Sequence, residues 1–434
     1  MKMTRLDDQT AFSLVSGLWK GERAPLLAAC VIRGTNFRGD GLLDFSDAVD
    51  LDVESRYLEE RRLHDEDIII ERSGGGPKQA VGRVALFTRP DARIYFTSNF
   101  TTAIRVIDRA RFDPRYVALF LHACYLAGAT ESLQRATTGI RNLDWQEYLQ
   151  FEIPEIDLSE QRVLSRLLDG VRTSLLAEER QVVLASDIKR AAMTTLFTRG
   201  LRGEEQKESE IGLVPESWNV VNFSEVREWL QYGTSIHCTL EKKRYPVLRI
   251  PNVEPGRVNG LQLKYCDLPD EEARKYLLQD GDLLFIRTNG VLERLGSCAV
   301  YSGIPSTALF ASYLIRARLK PNVDSRYVAY FYASVLGTSL VAGRATPAAD
   351  GKYNLNTGTI DSLPLPVPPS VDEQREIVGI LEALDRMIDL HEQKRAVLDE
   401  LFKSLLHKLL TATIRVDQLS ALGVPSTREP EAAA

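Results

Sequence analysis

The stretch PSVDEQREIVGILEALDRMIDLHEQKRAVLDELFKSLLHKLLT, Pro369 to Thr411, carries about 40 residues of uninterrupted helix signal. Apolar residues recur at Ile377, Leu381, Leu384, Ile388, Leu398, Phe402, Leu405 and Leu409, with His391 and Arg395 completing the stripe. Steps that alternate four and three make a heptad seam, so the stretch predicts a long helix with an apolar edge that needs a partner. A second seam runs through Leu164, Leu168, Val171, Leu175, Val182, Ala185, Ala192 and Leu196, with Glu178 and Lys189 as its polar positions. Both helices begin alike, with Asp157-Leu-Ser-Glu160 and Ser370-Val-Asp-Glu373 as N-cap and N3 patterns. Before the second, PLPVPP (Pro364 to Pro369) predicts a stiff extended approach that is not itself helix.

The matching helix starts belong to an internal duplication. DIIIERSG at Asp67 recurs as DLLFIRTNG at Asp282, and DPRYVALF at Asp113 as DSRYVAYF at Asp324. Further matches are RAT at Arg135 and Arg344, NL at Asn142 and Asn354, and EQR at Glu160 and Glu373. The order is kept, with offsets between 209 and 215 residues. Each repeat therefore reads as a mixed α and β module of about 150 residues followed by one long helix. Paired antiparallel, the two helices would carry their modules at opposite ends of a rod of roughly 60 Å. That length is enough to hold two modules about one DNA turn, roughly 34 to 36 Å, apart. Laying Leu164 opposite Leu409 sets Glu178 opposite Arg395.

Composition excludes several classes. With 434 residues, 44% hydrophobic and 26% charged, the chain exceeds one typical core and has the make-up of a globular protein. The apolar run Tyr116 to Ala129 is too short to span a bilayer and contains His122, so it predicts a core helix. The N-terminus MKMTRLDDQTAF lacks the apolar region of a secretory signal, and the expected location is cytoplasmic. Cys30, Cys124, Cys238, Cys266 and Cys298 lie far apart in sequence without a C-x-x-C, and the five histidines show no paired ligand spacing. SGGGPK at Ser73 lacks the G-x-x-x-x-G-K-[ST] pattern of a phosphate-binding loop. Pro269-Asp270 follows Glu241-Lys242-Lys243 instead of preceding it, against the order of acids and lysine in a metal nuclease. No N-P-P-aromatic or D-P-P-aromatic motif marks a base methyltransferase. The reading is of a chain without catalytic residues or metal site, and the net charge of -6 weighs only mildly against nucleic acid.

The residues resemble a known family, the specificity subunits of type I restriction-modification enzymes. The likeness is carried by IGLVPESWNVV at Ile211, GDLLFIRTNG at Gly281 and the segment from NLNTGTIDSLPLPVPPSVDEQ at Asn354 to Thr411. In the first half it is carried by GLWKGERAPLLAACVIRGTNF, DIIIERSGGGPKQAVGRV and TTGIRNLDWQEY. No counterpart of IGLVPESW precedes the first module. The resemblance implies an α+β fold: two globular α/β target-recognition domains, each followed by a long helix, the helices pairing as an antiparallel coiled coil with pseudo-two-fold symmetry. The expected boundaries are target-recognition domain 1 over 1–155, a central spacer helix over 156–206, target-recognition domain 2 over 207–368, a C-terminal spacer helix over 369–416 and a disordered tail over 417–434. The implied partners are double-stranded DNA with a split site, two methyltransferase subunits and motor-nuclease restriction subunits. S-adenosylmethionine, ATP and Mg are expected in those partners, and no cofactor in this chain.

Reading DNA needs side chains with paired donors and acceptors for base edges, and cations or hydroxyls for phosphates. The loops after the repeated strand offer Arg72, Ser73 and Lys78 in one module and Arg287, Thr288 and Asn289 in the other. Arg141 and Asn142 align with Tyr353 and Asn354, beside Lys352. Asn99, Tyr232, Thr234, Lys242 and Lys243 complete the candidates, the lysines forming a basic cluster with Arg244. Two other classes compete with a DNA reader: a coiled-coil scaffold joining two protein-binding modules, and a nuclease of unusual design.

Overall fold

The computed structural model describes residues 2–74, 79–137, 140–348 and 351–410. Lys78, the expected tail 417–434 and the last residues of the expected spacer helix, 411–416, lie outside them. Two long helices are present, a central one over Leu158–Arg199 and a C-terminal one over Val371–Leu410. The chain divides into two compact units, and the division falls inside both helices. The first unit comprises Met1–Glu179 with the described chain from Gln393 on, and the second comprises Arg180–Glu392.

In the first unit the core is an antiparallel sheet in the order Phe12–Ser16, Thr101–Val106, Ile68–Glu71, Val84–Leu86. The run Ile68 to Ile70 is apolar at every position because both faces of its strand are covered. Ile68 and Ile70 face a cluster that includes Tyr116 and Val117 of the helix Pro114–Leu126, whereas Ile69 packs with Cys30, Ile32 and Phe87 on the other side. That second layer is the sheet Val49–Glu54, Leu26–Ile32, Tyr95–Thr97. The run Tyr116 to Ala129 supplies this core helix, as expected, and no described helix is long and apolar enough to cross a membrane.

The second unit repeats the plan. Its main sheet begins Arg227–Tyr232, Leu314–Leu319, Leu283–Ile286, Cys298–Val300, and is extended by Gly256–Val258 and Val253–Glu254. Leu283 and Phe285 face the cluster that contains Tyr327, Val328 and Phe331 of the helix Ser325–Ala333, and Leu284 and Ile286 face the opposite layer. The aspartate that opens each repeated strand is structural. Asp67, 1% exposed, accepts from Arg105 at 2.7 and 2.8 Å, and Asp282, also 1% exposed, accepts from Arg318 at 2.8 and 2.9 Å.

The remaining repeats lock each module to its own helix. Gln161 and Gln374, from the two EQR segments, are 0% and 1% exposed. Gln161 Oε1 accepts from Asp113 N at 2.8 Å while Nε2 donates to the carbonyls of Arg111 and Ile156. Gln374 Oε1 accepts from Asp324 N at 2.9 Å. Asp113 and Asp324 are the N-caps of the two module helices, so the DPRYV and DSRYV segments meet the EQR segments in space.

The helix starts depart from the expected reciprocal box. Ser370 Oγ accepts from Glu373 N at 3.2 Å, but the Glu373 carboxylate accepts from Trp218 Nε1 at 3.2 Å and does not close the box. Trp218 is 0% exposed and follows the hairpin Gln206–Ser209 with Gly212–Pro215, in the segment that has no counterpart before the first module. PLPVPP is extended as expected, with Pro364–Val367 paired to Asn219–Asn222.

Candidate nucleic-acid interface

At the end of each repeated strand the chain leaves the main sheet and enters a small three-stranded one. In the first unit this sheet is Gln134–Thr137, Ile140–Leu143, Ser73–Gly74, and in the second Thr346–Pro347, Tyr353–Asn354, Thr288–Asn289. Its registers set Ser73 opposite Asn142, Gly74 opposite Arg141, Thr288 opposite Asn354 and Asn289 opposite Tyr353. Candidates some 65 to 70 positions apart in sequence are thus brought side by side, at corresponding places in both units. Ser73 Oγ donates to Asn142 Oδ1 at 2.6 Å, and Asn289 Oδ1 accepts from Val291 N at 2.9 Å.

Arg72 and Arg287 begin these edges, and the backbone of each is anchored on both sides. Arg72 N donates to Phe100 O at 2.8 Å and its carbonyl accepts from Leu143 N at 2.8 Å. Arg287 N donates to Tyr313 O at 3.1 Å and its carbonyl accepts from Leu355 N at 2.7 Å. Their guanidinium groups lie over aromatic rings, Arg72 at 4.9 Å from the Trp145 centroid and Arg287 at 4.7 Å from the Tyr232 centroid. Each makes one long side-chain hydrogen bond of 3.5 Å, Arg72 to Thr102 Oγ1 and Arg287 to the Ser312 carbonyl. In both, Nε is buried without a hydrogen-bond partner. Burial holds the Arg72 guanidinium below its ordinary pKa.

Among the described residues neither arginine has a carboxylate within ion-pair distance. Other module arginines do: Arg83 with Glu71 at 2.7 Å, Arg227 with Asp361 at 2.7 Å, and Arg105 and Arg318 with the strand aspartates. A partly desolvated cation with no counter-ion carries an unmet electrostatic demand, which a phosphate or a guanine edge would satisfy.

The other candidates are placed differently. Asn99 is exposed, next to the Phe100 carbonyl that holds Arg72. Lys352 is exposed beside the small sheet of the second unit. Tyr232 is the ring under Arg287, and its hydroxyl accepts from Thr357 N at 3.2 Å. Thr234 is only 8% exposed, and its hydroxyl accepts from Ile236 N inside a turn. Lys242 and Lys243 precede the strand Tyr245–Leu248, away from the small sheet in sequence and pairing. Lys243 faces Asp267 at 3.7 Å and Arg244 binds Asp270 at 2.7 Å, so acidic partners offset the expected basic cluster. Sequence reasoning missed Trp145, whose role appears only when the fold lays it against Arg72.

The family model of the type I restriction modification DNA specificity domain matches residues 215–400. The putative type I restriction enzyme MjaX specificity subunit of Methanocaldococcus jannaschii is 29% identical over 210 residues, 48% of this chain and 49% of that protein, so that match spans about half the relative's length. The type I restriction enzyme EcoKI specificity subunit of Escherichia coli is 26% identical over 380 residues, 84% of this chain and 77% of that one. The crystal structure of the type I restriction-modification S subunit from M. genitalium superposes with a TM-score of 0.56 at 15% identity, covering 94% of this chain and 95% of that one. At that identity the superposition speaks for the fold alone.

Proposed function

We propose that this chain acts as a specificity subunit of a type I restriction-modification enzyme, its two modules each reading one half of a split DNA site, on its likeness to that family. The observation that carries this reading is the pair Arg72 and Arg287: equivalent, ring-stacked, half-buried and without a carboxylate. The chain itself would supply recognition and no catalysis. Base methylation would fall to two methyltransferase subunits, which extract the adenine from the stack. S-adenosylmethionine would serve them, and ATP and Mg the motor-nuclease subunits.

The two long helices would act as the spacer, paired antiparallel as a coiled coil with pseudo-two-fold symmetry. Two sets of contacts support this. In the first unit Leu164 and Leu168 of the central helix share a core cluster with Phe402 and Leu406 of the C-terminal helix. In the second unit Met193, Leu196 and Phe197 share one with Ile377, Val378 and Leu381, and Lys189 Nζ lies 2.5 Å from Asp385. The start of each helix therefore keeps company with the end of the other. The Lys189–Asp385 pair falls within one residue of the register that sets Leu164 against Leu409. Partner docking is supported by exposed apolar residues off this seam: Ile380, Met387 and Leu390 in the second unit, Val397 and Leu401 in the first.

The test is to sequence methylated bases in cells carrying this chain with its neighbouring methyltransferase, against cells lacking only this chain. The expected result is a split motif with N6-methyladenine on both strands that disappears in the deletion. If no motif is lost and purified protein binds DNA without salt dependence, the reading fails and a protein-binding scaffold takes its place.

A further inference from the structure

Beside each unpaired arginine the fold builds the same tight turn. In the first unit Ser98-Asn99-Phe100-Thr101 follows the strand Tyr95–Thr97 and is closed by Thr101 N donating to Ser98 O at 3.0 Å. In the second, Ala311-Ser312-Tyr313-Leu314 follows Leu309–Phe310 and is closed by Leu314 N donating to Ala311 O at 2.9 Å. Each turn sits on a glycine. A Cβ added to Gly17 would lie 1.8 Å from Ser98 O, and one added to Gly233 would lie 2.3 Å from Ala311 O. The third residue of each turn is fixed through its carbonyl, Phe100 by Arg72 N and Ser73 N, Tyr313 by Arg287 N.

The backbone is held on three sides, yet the ring is left in solvent: Phe100 is 45% exposed and Tyr313 is 58% exposed. One exposed aromatic is ordinary on a protein surface. Here the two turns share no residue in register, and an aromatic still occupies the same position in both. A ring on a fixed backbone has few rotamers to lose on binding and a large apolar area to bury. Duplex DNA offers matching apolar surface in thymine methyl groups along the base edges, and phosphates offer none.

We infer that Phe100 and Tyr313 are specificity-determining residues that contact DNA bases, one in each half-site, beside the ionic contact made by Arg72 or Arg287. The inference rests on the DNA-reading function proposed above and names the apolar part of that contact. The full chain, with its methyltransferase partner, is titrated against a duplex bearing the methylated motif at several salt concentrations. Phe100→Ala and Tyr313→Ala should each weaken binding about tenfold, while Phe100→Tyr and Tyr313→Phe stay within about twofold. The slope of log affinity against log salt should not change in either alanine variant, because an apolar contact releases no counter-ion.

Base substitutions in one half-site should be non-additive with the alanine in one module only. A salt-sensitive wild type with unaffected alanine variants overturns the aromatic contact and leaves the DNA-reading function standing. A wild type without salt-dependent binding overturns the function itself. An alanine variant that unfolds would show the ring to be a core element and also overturns the inference.

Discussion

Replacing Arg287 by alanine separates a binding arginine from a structural one, and the structure supplies both sides of the comparison. Within the fold Arg287 loses a hydrogen bond at the 3.5 Å limit and a ring contact at 4.7 Å. The first is worth little at that length, and the second about 0.5 to 1 kcal/mol near a surface. Stability should therefore fall by about 1 kcal/mol. Arg318→Ala is the contrast, because it removes both hydrogen bonds that Arg318 makes to the buried carboxylate of Asp282, leaving it Arg316 at 3.7 Å and the Gln279 N–H, and should cost about 2 to 3 kcal/mol. On DNA the order reverses. A guanidinium on a base edge or phosphate contributes about 1 to 3 kcal/mol, so Arg287→Ala should weaken binding about 30-fold near the middle of that range. If the contact is to phosphate, the salt slope should also drop by roughly 0.9. Thermal melts and fluorescence anisotropy across salt concentrations measure both. A variant that loses more than about 2 kcal/mol of stability yet binds DNA like the wild type would refute the reasoning, and the same pair of measurements applies to Arg72→Ala.

Gln161→Leu should lower stability by about 2 to 4 kcal/mol, since it leaves Asp113 N and the carbonyls of Arg111 and Ile156 without partners in a buried site; calorimetry measures the loss. His122, 4% exposed with neither ring nitrogen hydrogen-bonded, is pushed down to about 4, first by burial and then by Arg172. Its unfolded value is near 6.5, so the unfolded chain binds the proton first. The stability it permits is complete above about pH 6.5 and is lost as pH falls toward 4, by about 3 kcal/mol in all. His122→Phe should flatten that part of the pH–stability curve measured by denaturant titration, and an unchanged slope would count against a neutral buried imidazole.

The parts of the fold that depend on near neighbours in sequence were legible. Heptad spacing marked both helices, an apolar run marked the repeated strand, and the duplication predicted that Ser73 and Thr288 would occupy equivalent positions, in loops where the structure has short strands. What stayed hidden depends on distant residues meeting. Lys243 and Arg244 read as a basic cluster because Asp267 and Asp270, which offset them, come more than 20 positions later. Glu373 read as a capping residue because nothing near it announces Trp218. Thr234 looked like a surface hydroxyl because the turn that buries it is closed by Phe310, whose carbonyl accepts from Thr234 N at 2.9 Å. Nothing in the sequence singles out Phe100 or Tyr313, because the glycines that seat their turns, Gly17 and Gly233, lie some 80 positions away.

The ring under the equivalent arginine comes from different places in the two modules. Trp145 follows the strand Ile140–Leu143, whereas Tyr232 ends the strand Arg227–Tyr232. The backbone of the arginine itself is held through its peptide N–H and carbonyl, by contacts that do not depend on which side chains surround it. The module is thus a fixed mounting with a changeable lining. Side chains at Trp145 or Tyr353 can be exchanged without altering the peptide hydrogen bonds that hold Arg72 and Arg287, so under the proposed function a new half-site preference would arise by substitution on an unchanged frame.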